Sequence, residues 1–165
     1  MEAWNKGKRI GQKKAFKLED IWRIRIRLEL EERLFELALF NLAIDCKLRS
    51  CDLRNLKVQD VSRSGCVMSR TIVKQQKTQQ EVHFEITPKT QQTLSQWIIQ
   101  NSLLPTDYLF PSPRREGQPI SYHYYTTMVN RWVTDIGLDK TQYGTHSLRR
   151  TKASLIYAKT KNLRA

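Results

Sequence analysis

Residues 32–46 constrain this chain most. Leu34, Leu37, Ala38, Asn41 and Leu42 recur at helical spacing, with Phe35 and Leu39 alongside. A helix that is apolar on nearly every side is a buried helix, so the rest of the chain has to pack around it. The 165 residues suit one compact domain, since a chain of this size hides roughly 70% of its unfolded surface. The apolar region is not a membrane span. Glu36 and Asn41 interrupt it, and no stretch reaches the roughly 18 consecutive apolar residues that a span needs.

The flanking segments read as follows. In residues 18–30, Trp22, Ile24, Ile26, Leu28 and Leu30 alternate with charges, as in a strand. The sets Ile21, Ile24, Leu28 and Trp22, Ile26, Leu30 also fit a helix, and Glu19 and Asp20 suit its first turn by the helix dipole. Helix is the choice made here. A short helix follows near 50–56, with Ser50 a candidate cap. Two β-rich runs, 66–73 and 81–86, are joined by a polar link over 74–80 and predict a hairpin. Thr87-Pro88 opens a helix to about Asn101, because proline is tolerated at the first helical position. Pro105, Pro111, Pro113, Gly117 and Pro119 mark an irregular connection. Ser121 caps a helix to about Ile136, Gly137 stops it, and a last helix starts near Thr145. Trp22, Trp97 and Trp132 read as core aromatics, and Trp4 has no assigned role.

Charge narrows the partner. There are 29 Lys and Arg against 16 Asp and Glu, a net charge of +13. A domain this basic meets a polyanion, most often nucleic acid. Residues 1–17 form a basic, flexible arm that includes Lys13 and Lys14, and no acid follows Arg149. The arm reads equally as a DNA-tracking segment or a solubilising tail. Cys46, Cys51 and Cys66 contain no Cys-x-x-Cys pair, which suggests neither a disulfide framework nor a zinc ribbon. His83, His123 and His146 are too scattered to predict a metal site.

Four segments, in order, resemble the tyrosine recombinases of the phage-integrase family. The run Ala43-Ile44-Asp45-Cys46-Lys47-Leu48-Arg49-Ser50-Cys51-Asp52-Leu53-Arg54-Asn55-Leu56-Lys57-Val58-Gln59-Asp60-Val61 is similar to the first arginine box. Gln76-Lys77-Thr78 lies in the hairpin where the family keeps a catalytic lysine. Tyr108-Leu109-Phe110-Pro111 and Gly117–Ser121 resemble the connection into the next helix. Gly144-Thr145-His146-Ser147-Leu148-Arg149-Arg150-Thr151 looks like the His-x-x-Arg box. Three positions depart from the pattern. Lys47 stands where glycine is usual, Asp52 where glutamate is usual, and Ser147 where aspartate is common.

The resemblance covers residues 18–165 and implies a mostly helical α+β domain with a small antiparallel β-sheet. It implies site-specific DNA recombination by strand cleavage and rejoining through a 3′-phosphotyrosyl link, with no metal or cofactor. It makes Arg49, Lys77, His146 and Arg149 the catalytic candidates. Two guanidiniums suit the charge that gathers on a phosphoryl transition state, because each is a planar fork of donors that stays charged. Lys77 is the candidate general acid for the leaving 5′-oxygen, although Lys74 shares its hairpin and either could be solvated. Arg150, Lys152, Lys74, Lys13 and Lys14 are candidate DNA contacts.

In the family, the nucleophilic tyrosine lies well beyond the His-x-x-Arg box. The expectation is a catalytic domain lacking that segment and inactive alone for cleavage. Tyr157 is expected to pack in the core. The implied partner is double-stranded DNA, not a membrane. The full-length form is expected to be a homotetramer on paired sites, the isolated chain a monomer, and the location the cytoplasm of a bacterial or phage system. A non-catalytic DNA-binding regulator on the same scaffold is the alternative.

Overall fold

The computed structural model describes residues 12–164, with side chains described through residue 159. Its centre is α2 (Leu34–Cys46), in which every residue from Glu36 onward is buried. Helices α1 (Leu18–Leu30), α5 (Pro88–Gln100) and α7 (Thr145–Arg164) pack directly on it. Helix α6 (Tyr122–Asp135) completes the shell with Tyr125, Met128, Val129, Trp132 and Val133 buried. The short helices α3 (Ser50–Arg54) and α4 (Val58–Val61) carry the chain from α2 to the strands.

The buried helix contains polar residues, and each has partners. Asn41 accepts from Arg25 Nε at 2.7 Å and donates to Thr93 Oγ1 at 3.2 Å. Glu36 accepts from Arg33, from Arg131 and, at 3.1 Å, from Trp132 Nε1. Asp45 Oδ2 accepts from the Thr87 amide at 2.9 Å and from its hydroxyl at 2.8 Å. These bonds tie α1, α5 and α6 to the central helix, and a buried polar group left without them would cost about 1–3 kcal/mol.

The strands form two small antiparallel pairs. β1 (Ser62–Arg63) pairs with β2 (Cys66–Val67) across Ser64 and Gly65, both at positive φ. β3 (Arg70–Lys74) pairs with β4 (Glu81–Glu85). The run expected as one strand over 66–73 is therefore broken. The Met68 amide still bonds in register to Val61 O, next to β1, whereas Ser69 O accepts from the Ile86 amide, so the chain changes partner between Met68 and Ser69.

Helix α1 takes the helical alternative, with Asp20, Ile21, Ile24 and Leu28 inward. Trp22 then falls on the outer face at 49% exposure, which corrects its assignment to the core. Its ring instead lies 5.4 Å from the Lys89 ammonium. Trp132 is buried, and Trp97 is half-buried with Nε1 donating to Leu109 O. Trp4 lies outside the described residues.

The arm expected over 1–17 does not stay free of the body at its C-terminal end. Phe16 is buried and stacks on Tyr143 at 5.1 Å. The Lys14 amide donates to Gln142 O, and the Phe16 amide donates to Thr151 Oγ1. One buried aromatic side chain is enough to anchor this segment, because burying a Phe stabilises by about 1.5–3 kcal/mol.

Candidate active site

The first arginine is set by the way α2 ends. Lys47 adopts φ 56, ψ 17, the left-handed conformation that closes a helix. Leu48 then turns into the core, and Arg49 is extended at the joint with α3. Ser50 becomes the first helical residue. Its hydroxyl accepts from Arg54 Nε at 3.2 Å, so it does not serve as the cap expected of it.

The second arginine arrives from the other end of the chain. His146 and Arg149 lie one turn apart at the start of α7, where spacing i, i+3 puts them on one side. Arg149 Nε donates to the carbonyl of Lys47 at 3.1 Å. The turn into α7 is fixed by Ser147, whose hydroxyl accepts from the Gly144 amide at 3.0 Å.

The lysine comes from the turn between β3 and β4. Gln75 and Gln80 close that turn through a backbone bond of 2.8 Å. Asp52 Oδ1, buried on α3, accepts from the amide of Gln76 at 3.0 Å. The residue before Lys77 is thereby tied to the helix that follows Arg49.

These parts enclose a cleft of about 430 Å³ lined by Arg49, Lys77, His146 and Arg149 together with Ser50, Cys51, Arg54, Tyr122 and Thr145. All four catalytic candidates thus meet in one place. Lys74 ends β3, is exposed, and is not among the lining residues. Arg49 Nη1 is buried without a hydrogen-bond partner, as is Asp52 Oδ2. An orphaned donor of this kind costs about 1–3 kcal/mol until an acceptor reaches it.

The remaining candidate contacts lie elsewhere. Arg150 is exposed and donates to the carbonyl of Lys13, whose ammonium donates to Thr141 O at 2.8 Å. Lys152 is half-buried, with Nζ 3.4 Å from Asp45 O in the last turn of α2. A cation there is favoured by the helix dipole. Tyr157 is 69% exposed, which corrects its assignment to core packing, and it does not line the cleft.

Sequence reasoning missed Arg54 and Tyr122. Arg54 sits four residues after Ser50, its partner on α3, and Tyr122 directly follows the cap residue Ser121. Those spacings were the available signals.

A mostly helical body with small antiparallel strand pairs, and a cleft that gathers two arginines, a lysine and a histidine, define the catalytic-domain class of the tyrosine recombinases. Residues 18–165 match the sequence profile of the phage integrase family, and the chain belongs to that family. No curated protein sequence matches it significantly. Among solved structures, it is similar to the XerH site-specific recombinase bound to difH substrate in a pre-cleavage complex. The TM-score is 0.71 at 23% identity, over 94% of this chain and 47% of that one. It is similar to the XerA recombinase, with TM-score 0.73 and 18% identity, over 92% of this chain and 53% of the other. A lambda integrase dimer bound to a COC′ core site gives TM-score 0.65 and 19% identity, over 92% and 43%. The chain spans about half the length of these structures. Among the described residues, no helix is long and apolar enough to cross a membrane.

Proposed function

We propose that this chain supplies the cationic part of a site-specific DNA recombinase active site. The observation that carries the reading is the convergence of Arg49, Lys77, His146 and Arg149 on one cleft from three separate parts of the chain. Such a group has a clear use at a phosphodiester. Arg49 and Arg149 hold the non-bridging oxygens of one DNA phosphate and stabilise the charge that grows on them. A tyrosine oxygen attacks phosphorus and the bond to the 5′-oxygen breaks. Lys77 gives that oxygen its proton, leaving a 3′-phosphotyrosyl link and a 5′-hydroxyl. His146 orients the clamp or takes the proton of the nucleophile. A second 5′-hydroxyl reverses the step, so the phosphodiester energy is conserved.

The ligand class rests on two supports. The net charge is +13, and XerH and lambda integrase, which share the fold, were solved with DNA. We extend double-stranded DNA to this chain as its partner, with a homotetramer on paired sites as the working assembly. Lys13, Lys14, Lys74, Arg150 and Lys152 are outlying backbone contacts in this reading, although Lys152 and Arg150 also brace the fold.

Two measurements test the reading. Affinity for duplex DNA should fall steeply with salt, by close to one unit of log K per log unit of salt for each phosphate contact. A flat response would count against nucleic acid altogether. Covalent capture of a nicked suicide duplex is then followed in a protein carrying these residues together with a nucleophilic tyrosine. Arg49→Ala or Arg149→Ala should abolish the adduct and leave most duplex binding. Equal loss of both would place the arginines in general phosphate contact, outside the chemistry.

A further inference from the structure

The cleft holds another arginine, which lies within the first arginine box but has no role assigned by that resemblance. Arg54 ends α3 and lines the same cleft as Arg49, Lys77, His146 and Arg149. Three contacts hold it in place. Its Nε donates to Ser50 Oγ at 3.2 Å, its Nη1 donates to the carbonyl of Ile120 at 3.2 Å, and its guanidinium carbon lies 5.9 Å from the centroid of the Tyr122 ring. Ser50 and Tyr122 line the cleft as well. A free arginine carries about 2 kcal/mol of rotamer entropy, most of which is lost when it grips an anion. Arg54 has already lost much of that freedom. Its two hydrogen bonds go to neutral oxygens, and among the described residues it has no carboxylate partner to neutralise it.

Its position relative to Arg49 matters too. Arg49 is the extended residue before α3 and Arg54 its last residue, so the two side chains leave opposite ends of that helix, offset by about 7.5 Å of helical rise. Successive charges of one DNA strand advance by about 3.4 Å along the duplex, so neighbouring phosphates of one strand fall within reach of the pair.

We propose that Arg54, backed by the ring of Tyr122, binds a second phosphate of the strand whose scissile phosphate is held by Arg49 and Arg149. The proposal rests on the DNA reading above. No bond is made or broken at Arg54. It fixes the strand on one side of the reacting phosphate, so that the reacting phosphate is presented in one register.

The test is equilibrium binding of a short mixed-sequence DNA duplex across a range of KCl concentrations. Arg54→Gln should reduce the salt slope by about 0.9, the loss of one phosphate contact. Arg54→Lys should keep the slope. Arg23→Gln, which removes an exposed charge from α1, should also keep it. Tyr122→Ala should weaken binding by about two- to fivefold, the scale of an exposed cation–π contact. An unchanged slope in folded Arg54→Gln, or an equal drop in Arg23→Gln, would overturn the proposal. Should Arg54→Gln fail to fold, unchanged affinity in Tyr122→Ala overturns it instead. A flat salt response in the unaltered protein would overturn the DNA reading beneath it, a different result from either.

Discussion

The guanidinium of Arg149 donates through Nε to the carbonyl of Lys47 at 3.1 Å, across 102 residues of sequence. Lys47 ends the central helix, and Arg49 follows two residues later. The bond therefore places one arginine of the proposed clamp by reference to the backbone that places the other. It also uses Nε and leaves the two terminal nitrogens of Arg149 for a phosphate.

Arg149→Lys should break this arrangement, because one ammonium cannot hold the carbonyl and offer a fork at once. In a protein carrying these residues together with a nucleophilic tyrosine, the expected result is loss of covalent DNA adduct by at least about a hundredfold, the scale of removing one preorganised donor. Duplex affinity should change little. Adduct formation on a suicide duplex and gel-shift affinity, measured side by side, check this.

Lys47 itself is strained. A non-glycine residue at φ 56 costs about 1–2 kcal/mol, partly offset by the greater freedom of glycine in the unfolded chain. Lys47→Gly should gain about 0.5–1 kcal/mol, or a rise of about 2 °C in Tm. Calorimetry decides, and a lower Tm would mean that the lysine side chain stabilises the fold by more than its backbone costs.

Asp52 anchors the turn that carries Lys77 through the 3.0 Å bond to the Gln76 amide. Asp52→Ala should destabilise by about 1–3 kcal/mol, as expected for a buried partner removed. Amide exchange at Gln76 should accelerate with it. Asp52→Asn, which keeps an acceptor, should do less of both.

Lys74 ends β3 and Lys77 lies in the turn that follows, and of the two only Lys77 lines the cleft. In a protein that also carries a nucleophilic tyrosine, Lys77→Ala should abolish strand cleavage, whereas Lys74→Ala should leave it within a few-fold. A substrate with sulfur in place of the 5′-bridging oxygen leaves without a proton. That substitution should restore cleavage to Lys77→Ala, and absence of rescue would remove Lys77 from the general-acid role.

The cysteines differ in reactivity for a physical reason. Burial pushes the Cys46 thiol up to about 12, whereas Cys66 is exposed. Alkylation of the native protein at mildly alkaline pH should label Cys66 quickly and Cys46 only on unfolding. The sign of the linked stability follows from the raised folded value. The Cys46 contribution is complete below the ordinary thiol value of 9.0 and is lost as pH rises from there toward about 12.

Much of this fold was legible because α2 is apolar almost all round, which sets the centre of the body. The limit appears in α1, where two apolar sets compete. Ile21, Ile24 and Leu28 are buried, and Trp22, Ile26 and Leu30 face outward. Spacing cannot rank them, because the choice depends on what packs against the helix. The run 66–73 failed for a related reason, since the break at Met68 and Ser69 is set by backbone bonds to Val61 and Ile86. In the site, Arg49, Lys77, His146 and Arg149 were reachable through side-chain motifs. Arg54 lies in the first of those motifs and four residues from Ser50, but its place in the cleft is fixed by the backbone carbonyl of Ile120, which carries no residue identity. Lys152, a candidate DNA contact by its charge, also sets its ammonium against the C-terminal turn of α2, which charge patterning does not reveal.

The central claim is that Arg49 and Arg149 grip one DNA phosphate. A structure of this chain bound to duplex DNA measures that directly. A single backbone phosphate should lie within hydrogen-bond distance of both guanidiniums, with the Lys77 ammonium nearest its 5′-bridging oxygen. A duplex bound on another face, with no phosphate between Arg49 and Arg149, would contradict it.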